Sequence, residues 1–214
     1  MNYNERKISL VVIRRLPRYY RYLGELLKQN IKRISSKELS ERMNVTASQI
    51  RQDLNCFGGF GQQGYGYNVE ELYYEIGSIL GLHDGHKTII AGAGYLGHAL
   101  ANHSGFEKRG FHLVGIFDTD PKKIGQTING VQVYDSAKMA EFLRETPADI
   151  GILAVPRVNT REVADEMIQY GVKGLLNFSY VDLDVPDDVV VENVHLSDSL
   201  MTLSYQLREK RKNN

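Results

Sequence analysis

Residues 91–100 read AGAGYLGHAL, a Gly-x-Gly-x-x-Gly run that starts where an apolar stretch ends. The apolar stretch, KTIIAG at 87–92, predicts a buried strand, and HALANHSG at 98–105 predicts a helix. Glycines between such a strand and helix allow a tight turn and a close approach of the backbone to a pyrophosphate. The stretch therefore predicts a dinucleotide-binding site, and the rest of the chain must show what the dinucleotide does.

An acidic residue completes this fingerprint. The next predicted strand, FHLVGIFD at 111–118, ends at Asp118, 21 positions beyond Gly97. A carboxylate at this distance can bind the hydroxyls of the adenosine ribose. Its charge would repel a 2′-phosphate, which favours NAD over NADP.

The segments that follow alternate between strands and helices. Strands are predicted around 149–155, 174–178 and 189–194, with helices near 136–144 and 159–170. This alternation is typical of a Rossmann-like parallel sheet, and its carboxyl edge would hold the nicotinamide. The predicted cofactor-binding residues are Gly92, Ala93, Gly94, Tyr95, Leu96, Gly97, Asp118, Ala154, Val155, Pro156, Asn177, Phe178 and Ser179.

Charge divides the chain into two parts. The whole chain has 26 Lys and Arg and 26 Asp and Glu, but residues 1–67 hold 12 basic and 5 acidic residues, a net charge of +7. Residues 68–214 therefore carry a net charge of −7. A basic module joined to an acidic one suggests a polyanion as the partner of the first part.

The basic part has the pattern of a helix-turn-helix unit. Apolar residues within 5–29 recur at helical spacing, and Ser35 with Glu38 has the form of a capping box for a short helix. Thr46 then caps a third helix, ASQIRQDLNCFG at 47–58. A short helix, a tight turn and a second helix form the unit that places its second helix in the DNA major groove.

That second helix has a core face and an exposed polar face. Ile50, Leu54 and Phe57 are expected in the core, and the glycine-rich segment GGFGQQGYGY at 58–67 is expected to form the two-stranded wing of a winged helix. An ordinary helical bundle with a structural loop is the alternative. The predicted DNA-binding residues are Arg14, Arg15, Arg18, Tyr19, Ser48, Gln49, Arg51, Gln52, Gln62, Gln63 and Tyr65.

A terminal helix is predicted from about 197 to 210. The leucines at 196, 200, 203 and 207 recur at intervals of four, three and four, which places one apolar seam on a polar helix. The seam could belong to a core helix of its own domain or to a dimer contact. We expect three regions, with the DNA-binding domain at 1–82, the Rossmann domain at 83–195 and a dimerisation helix at 196–214.

No catalytic or metal site is predicted. Tyr134 and Lys138 have the spacing of a short-chain dehydrogenase pair, which we interpret as chance because no long sheet precedes them and no substrate domain remains. The histidines, the single cysteine Cys56 and the carboxylates do not have metal-ligand spacing. With no apolar segment long enough for a membrane, a cytoplasmic protein is expected.

Seven segments together resemble the Rex family of redox-sensing transcriptional repressors over nearly the whole chain. They are RRLPRYYRYL, RQDLNCFGGFGQQGYGY, AGAGYLGHAL, GIFDTDPKKIG, LAVP, GVKGLLNFS and VENVHLS. The resemblance implies a homodimer that binds double-stranded operator DNA with an inverted repeat and swaps its C-terminal helix under the partner. It also implies that NADH favours a closed dimer that releases DNA, whereas NAD⁺ favours one that retains it.

The chain departs from the family pattern at several positions. Many members have basic residues where this chain has Gln52, Gln62 and Gln63. Some members couple their domains through Arg, Tyr and Asp; by position Arg21 matches the Arg, but histidines stand at the other two positions. The residues that the resemblance places in interdomain coupling are Arg21, His103 and His195.

The sequence therefore favours a repressor that senses the NADH/NAD⁺ ratio and is not an enzyme. The alternative is an NAD- or CoA-ester-binding enzyme whose basic arm contacts a protein. A structural scaffold with a vestigial nucleotide site is the third hypothesis.

Overall fold

The computed structural model describes residues 8–58, 61–62 and 65–212. The chain forms two compact units, Met1–Asp84 and Gly85–Asn214, which are described separately below.

The first unit is a small helical domain with a short antiparallel sheet. Its helices are α1 (Leu10–Ile13), α2 (Leu16–Lys28), α3 (Ser36–Met43), α4 (Ala47–Asn55) and α5 (Val69–Ile79). Its strands are β1 (Arg33–Ile34), β2 (Gly61–Gln62) and β3 (Gly66–Asn68), in the order β1-β3-β2.

Side-chain caps define where α3 and α4 begin. The Ser35 hydroxyl accepts a hydrogen bond from the Glu38 amide at 3.1 Å, and the Glu38 carboxylate accepts one from the Ser35 amide at 2.8 Å. The Thr46 hydroxyl accepts from the amide of Gln49 at 3.1 Å. Asn44, in the left-handed conformation, ends α3 and makes the tight turn. The predicted helix-turn-helix layout is confirmed.

The core of this unit lies between α2, α4 and α5. Ile50, Leu54 and Phe57 are buried as expected, at 0%, 1% and 5% exposure. Strands β2 and β3 form the predicted glycine-rich ribbon, and β3 also pairs with β1. Gly66 is required there, because a Cβ on it would lie 2.6 Å from the carbonyl oxygen of Ile34.

The second unit contains a seven-stranded sheet with helices between the strands. The strands are β4 (His86–Ala91), β5 (Phe111–Asp118), β6 (Thr127–Ile128), β7 (Val131–Asp135), β8 (Ile150–Leu153), β9 (Gly174–Asn177) and β10 (Val190–Asn193). The helices are α6 (Tyr95–Ala101), α7 (Ser104–Glu107), α8 (Met139–Glu145), α9 (Thr160–Gln169) and α10 (Leu196–Lys212).

The strand order is β10-β9-β8-β4-β5-β7-β6, and every pair is parallel except β6 with β7. The α/β fold expected from the sequence is confirmed. Strands β6 and β7 were not predicted, although the dipeptide Asn129-Gly130 between them signals a two-residue hairpin. Both residues have positive φ, 50° and 82°, as a type I′ turn needs.

Alternate residues of the central strands point to opposite faces of the sheet. On one face, Ile89 and Leu153 pack with Met167 of α9 and Leu143 of α8. On the other face, apolar residues pack with Ala101 of α6; they include Ile90, Ile116 and Ile152. The central strands are therefore buried on both sides, and their carboxyl ends meet at one edge.

Helix α10 has no buried residue in the single chain. Its seam is strongly exposed, with Leu196 at 62%, Leu200 at 67%, Leu203 at 49% and Leu207 at 49%. The interpretation of α10 as a core helix of its own domain is therefore wrong. Among the described helices, none is both long enough and apolar enough to span a bilayer.

Candidate dinucleotide and DNA binding sites

A cleft of about 620 Å³ opens at the carboxyl ends of β4, β5 and β8. Eight of the predicted cofactor residues line it: Gly92, Gly94, Tyr95, Leu96, Asp118, Ala154, Val155 and Pro156. The cleft is the place where ligands bind in open α/β sheets, because the loops that follow neighbouring strands converge there.

The glycine loop is shaped by two close backbone contacts. A Cβ on Gly97 would lie 1.8 Å from the carbonyl oxygen of Gly92, and a Cβ on Gly92 would lie 2.4 Å from the carbonyl oxygen of Ala154. Gly92 also has a positive φ of 97°. Gly94 differs, because a Cβ there would meet no atom within 4 Å and would point into open space at the cleft wall.

Asp118 is held in place by three donors at the end of β5. Its carboxylate accepts from the amides of Ala93 at 2.7 Å and Asp120 at 2.8 Å, and from Lys123 Nζ at 3.1 Å. Burial by itself would raise the pKa of Asp118, but these hydrogen bonds outweigh it and lower the pKa below its ordinary value. The carboxylate is charged at neutral pH, and its contribution to stability is lost only as the pH falls through that lowered pKa.

Several cleft residues were missed by the sequence analysis. They are Thr119, Asp120, Lys123, Ser136, Met139, Asn159 and Val163, together with Ala91 and Phe117 at the strand ends. Most of them could have been predicted from their place in the sequence, since residues that directly follow the carboxyl ends of parallel strands share one edge of the sheet. Lys123 matters most, because it brings a positive charge to a cleft predicted to hold phosphates.

Five of the predicted cofactor residues do not line this cleft: Ala93, Gly97, Asn177, Phe178 and Ser179. Asn177 is fully buried, and its amide nitrogen donates to the carbonyl oxygen of Val181 at 2.9 Å and to Asn193 Oδ1 at 2.8 Å. Ser179 donates from its amide and hydroxyl to Asn177 Oδ1. In this structure, Asn177 and Ser179 bind each other and fix the loop that follows β9.

Most of the predicted DNA-binding residues are exposed on the first unit: Arg14, Arg18, Ser48, Arg51, Gln52 and Tyr65. Arg51 donates to the hydroxyl of Ser36 at 3.0 Å, and Arg18 donates to the carbonyl oxygen of Met43. Gln49 is half-buried. Gln62 belongs to β2, and Gln63 lies outside the described residues.

Two predicted DNA contacts have a structural role instead. Tyr19 is fully buried, and its hydroxyl donates to Asp53 at 2.7 Å. Arg15 donates to both oxygens of the same carboxylate, each at 2.7 Å. Both residues belong to an arginine- and tyrosine-rich segment that suited phosphate contacts, but in the structure they bind the buried carboxylate of Asp53. The prediction that Tyr19 contacts DNA is wrong, and the guanidinium of Arg15 serves an internal ion pair.

The three candidate coupling residues have separate surroundings. The guanidinium of Arg21, in the first unit, lies 5.8 Å from the ring of Tyr22. In the second unit, the ring of His103 lies 4.5 Å from that of Phe106. The ring of His195 stacks on Tyr180 at 5.1 Å, with Nδ1 3.7 Å from the carboxylate of Asp198. Their part in coupling stays a prediction.

Tyr134 of the dehydrogenase-like pair has a packing role, whereas Lys138 is exposed. Tyr134 lies 5.0 Å from Phe142 and 5.8 Å from Phe117, ring to ring, within the core on one face of the sheet. Within residues 8–58, 61–62 and 65–212, no three His, Cys, Asp or Glu side chains are grouped to hold a metal ion.

Comparison with known proteins identifies the family. The chain is 60% identical, over 95% of its own length and 91% of the relative's, to the redox-sensing transcriptional repressor Rex of Thermoanaerobacter pseudethanolicus. It is 56% identical to the Rex repressor of Clostridium perfringens strain SM101, with 94% of each chain covered. The chain belongs to the Rex family of redox-sensing transcriptional repressors.

Solved structures agree with this assignment. RSP, a Rex-family repressor in complex with beta-NAD⁺ and operator DNA, matches with a TM-score of 0.89 and 59% identity over 95% of this chain and 94% of that one. RSP in complex with beta-NADH matches with a TM-score of 0.89 and 55% identity over 97% of each chain.

Family models match both parts of this Rex-family chain. A model described as "putative DNA-binding protein N-terminus" covers residues 7–55, which include α1 to α4. A model described as "CoA binding domain" covers residues 83–181, which include the cleft and end before α10. The two matches agree with the winged-helix and Rossmann-like parts of the expected fold.

Replacing Gly94 by Leu should abolish dinucleotide binding without unfolding the protein. The Cβ of the new side chain would meet no atom within 4 Å, and the side chain would fill the space that a pyrophosphate needs. Calorimetric titration with NADH, together with a thermal melt, checks both parts. Gly97→Ala is the contrasting variant, because its Cβ meets backbone and should lower the melting temperature as well. NADH binding by Gly94→Leu at wild-type affinity would contradict the location of the site.

Replacing Asp118 by Asn should raise the affinity for NADPH relative to NADH. Asn can keep the one oxygen that accepts from both the Ala93 amide and Lys123 Nζ, although its NH2 group no longer accepts from the Asp120 amide. It removes the charge that repels a 2′-phosphate, and Lys123 Nζ loses the negative partner of its ion pair. Titrations of both dinucleotides measure the ratio. The double variant Asp118→Asn/Lys123→Gln should lose most of the gain. An unchanged ratio in the single variant would show that Asp118 does not face the ribose.

Proposed function

We propose that this chain is a transcriptional repressor that senses the NADH/NAD⁺ ratio, binding operator DNA and releasing it when NADH binds. One observation carries the proposal: a helix-turn-helix unit and a dinucleotide cleft share a single chain. In an enzyme the dinucleotide is a reactant beside a second substrate and a positioned acid or base. Here the second module is one suited to DNA, so the dinucleotide acts as a signal.

The first unit supplies the DNA-binding surface. The second helix of the helix-turn-helix unit, α4, exposes Ser48, Arg51 and Gln52, residue types that bind base edges or phosphates. Exposed arginines of the segment before it, Arg14 and Arg18, suit phosphate contacts. RSP, the 59% identical relative, was solved with operator DNA. Double-stranded operator DNA is therefore the partner of this unit.

The second unit supplies the effector site for NADH and NAD⁺. The pyrophosphate would lie against Gly94 at the wall of the cleft, and Asp118 would accept the ribose hydroxyls. RSP was solved with each of these two dinucleotides. Since both forms fit one cleft, the switch depends on a difference in how each dinucleotide stabilises the DNA-binding state.

A homodimer explains the exposed seam of α10. Four leucines at 49–67% exposure form an apolar stripe that a single chain leaves in water. A second copy would cover this stripe if the terminal helices were exchanged, and a two-fold dimer suits an inverted-repeat operator. We propose the division 1–82, 83–195 and 196–214 on this basis, with α10 as the dimerisation helix.

Arg21, His103 and His195 are proposed to transmit the NADH signal. The chain has histidine where the coupling network of some family members has Tyr and Asp, so Arg21 has no acidic partner at those positions. A repressor must share a compartment with the operator DNA that it binds. We therefore infer a cytoplasmic location.

The enzyme hypothesis is weaker. Its main support is the CoA-binding family model at residues 83–181. Repressor relatives that cover 95% of this chain, basic unit included, favour a regulator instead.

The first functional test is a gel shift with dinucleotides. The probe is an operator recovered from a random-sequence duplex library by rounds of binding to this protein. NADH should lower the operator affinity, NAD⁺ should not, and NADPH should have no effect because Asp118 repels its 2′-phosphate. DNA binding that is the same with all three dinucleotides would contradict the sensor hypothesis.

The second test concerns α10. Replacing Leu200 and Leu207 together by Glu should convert the dimer into a monomer, since two charges would enter the apolar seam. Operator affinity should fall at least tenfold because one half-site contact is lost. Tyr205→Glu, on the opposite side of the helix, is the matched control. Light scattering measures the mass, and a dimer that survives both leucine substitutions would contradict this interface.

A further inference from the structure

The helix that would enter the major groove carries a buried carboxylate. Asp53 of α4 has 0% of its surface exposed. It accepts hydrogen bonds from Arg15 Nε and Nη2, each at 2.7 Å, from the Tyr19 hydroxyl at 2.7 Å, and from Gln49 Nε2 at 2.8 Å. Three side chains from two parts of the unit therefore converge on one residue, which we call the Asp53 network.

The Asp53 carboxylate of the network is ionised at neutral pH. Burial would raise the pKa of Asp53, but the hydrogen bonds from Arg15, Tyr19 and Gln49 outweigh it and hold the pKa below its ordinary value. A buried carboxylate without these donors would raise the free energy of the folded protein, because its charge would be left unpaired. The three donors are therefore expected to stay bound to Asp53. The geometry of the network should therefore not change across the physiological pH range.

One of the donors, Gln49, belongs to the surface as well as to the network. It lies one helical turn before Asp53 and is half-buried, between exposed Ser48 and the exposed turn that contains Gln52. Its backbone amide is fixed by the cap Thr46, at 3.1 Å. Gln49 is therefore the one network residue on the helix face that the proposed DNA complex uses.

The carboxylate determines which way the Gln49 amide faces. An ionised carboxylate only accepts hydrogen bonds, so the Gln49 nitrogen must point toward Asp53. The carbonyl oxygen and the second N–H remain available. An acceptor and a donor side by side match adenine, which presents N6–H and N7 in the major groove.

We propose that Asp53 is a positioning residue for operator readout, which holds the Gln49 amide in one orientation so that Gln49 reads an adenine. The inference rests on the proposed DNA-binding function and names a reading residue, its base and the group that orients it. Arg15 and Tyr19 take part by holding Asp53 in place.

A purely structural role for the Asp53 network makes a different prediction. If Asp53 only fastens α4 to α2, its loss should weaken binding to all DNA alike, because every contact of α4 would be displaced together. If Asp53 orients Gln49, its loss should remove discrimination at one base pair. The pattern of discrimination, rather than the overall affinity, therefore separates the two roles.

The experiment compares Gln49→Met, Asp53→Asn and the double variant in the full-length protein. Affinities are measured for the selected operator and for versions in which each A·T pair in turn is replaced by G·C. For the wild type, one replacement should cost about tenfold or more. For Gln49→Met that replacement should cost less than twofold. Asp53→Asn should lose discrimination at the same pair, and the double variant should lose no more there.

Tyr19→Phe is the matched control. It removes one hydrogen bond from Asp53 but leaves Gln49 bound to it, so it should lower the melting temperature and keep the base-pair discrimination. Full discrimination in Asp53→Asn at every pair, with uniformly weaker binding, would overturn the proposal. Full discrimination in Gln49→Met would overturn it as well.

A measurement on the wild type covers the case in which Asp53→Asn does not fold. The side-chain amide of Gln49, assigned by NMR through its absence in Gln49→Met, should exchange with solvent more slowly than that of exposed Gln52. Equal exchange rates would overturn the orientation by Asp53. If the wild type recovers no specific duplex from the random library, the proposed DNA-binding function is refuted instead. The two failures are therefore distinguishable.

Discussion

The contact of Gly97 with the carbonyl oxygen of Gly92 is the constraint on which the effector site depends. A single added methyl carbon at position 97 would lie 1.8 Å from that oxygen, so α6 can begin directly above the end of β4 only if residue 97 is glycine. The same turn brings the Ala93 amide to within 2.7 Å of Asp118 on the neighbouring strand. The shape of the cleft, the glycine turn and the position of Asp118 therefore depend on the same close backbone contact.

The DNA-binding unit likewise depends on one carboxylate, that of Asp53, and on the side chains that donate to it. Asp53 joins α4 to α2 through Arg15, which caps α2, and Tyr19 within α2; it also accepts a hydrogen bond from Gln49 near the surface. In each unit, a carboxylate with a lowered pKa is held by several donors at the place where a ligand is proposed to bind. Such preorganisation avoids the cost of ordering side chains when the ligand arrives.

Local features of the fold were predictable from the sequence. The caps Ser35 and Thr46 act on residues three positions away, and the glycine loop with Asp118 lies within one strand–helix–strand unit. The leucine spacing of α10 predicted an apolar seam, although not what covers it. The hairpin of β6 and β7 could also have been predicted, because the dipeptide Asn129-Gly130 is a local signal for a two-residue turn.

Long-range features were not predictable. Arg15 and Asp53 are 38 positions apart, so the sequence showed only that Arg15 belongs to a basic segment. The internal role of Asn177 depends on Val181 and Asn193, which the loop after β9 brings together only in the folded sheet. Lys123 enters the cleft because its loop follows β5. In each case the deciding partner comes from tertiary structure, which a single-sequence pattern does not contain.

If the dinucleotide reports redox state to the DNA-binding unit, NADH binding and operator binding must be thermodynamically linked. If NADH weakens operator binding by some factor, operator DNA must weaken NADH binding by the same factor. NADH affinity should therefore be measured by calorimetry with the free protein and with the protein saturated by operator. NADH should bind more weakly to the operator complex than to the free protein, by the factor found in the reverse titration. Equal NADH affinity in the two states would contradict this linkage.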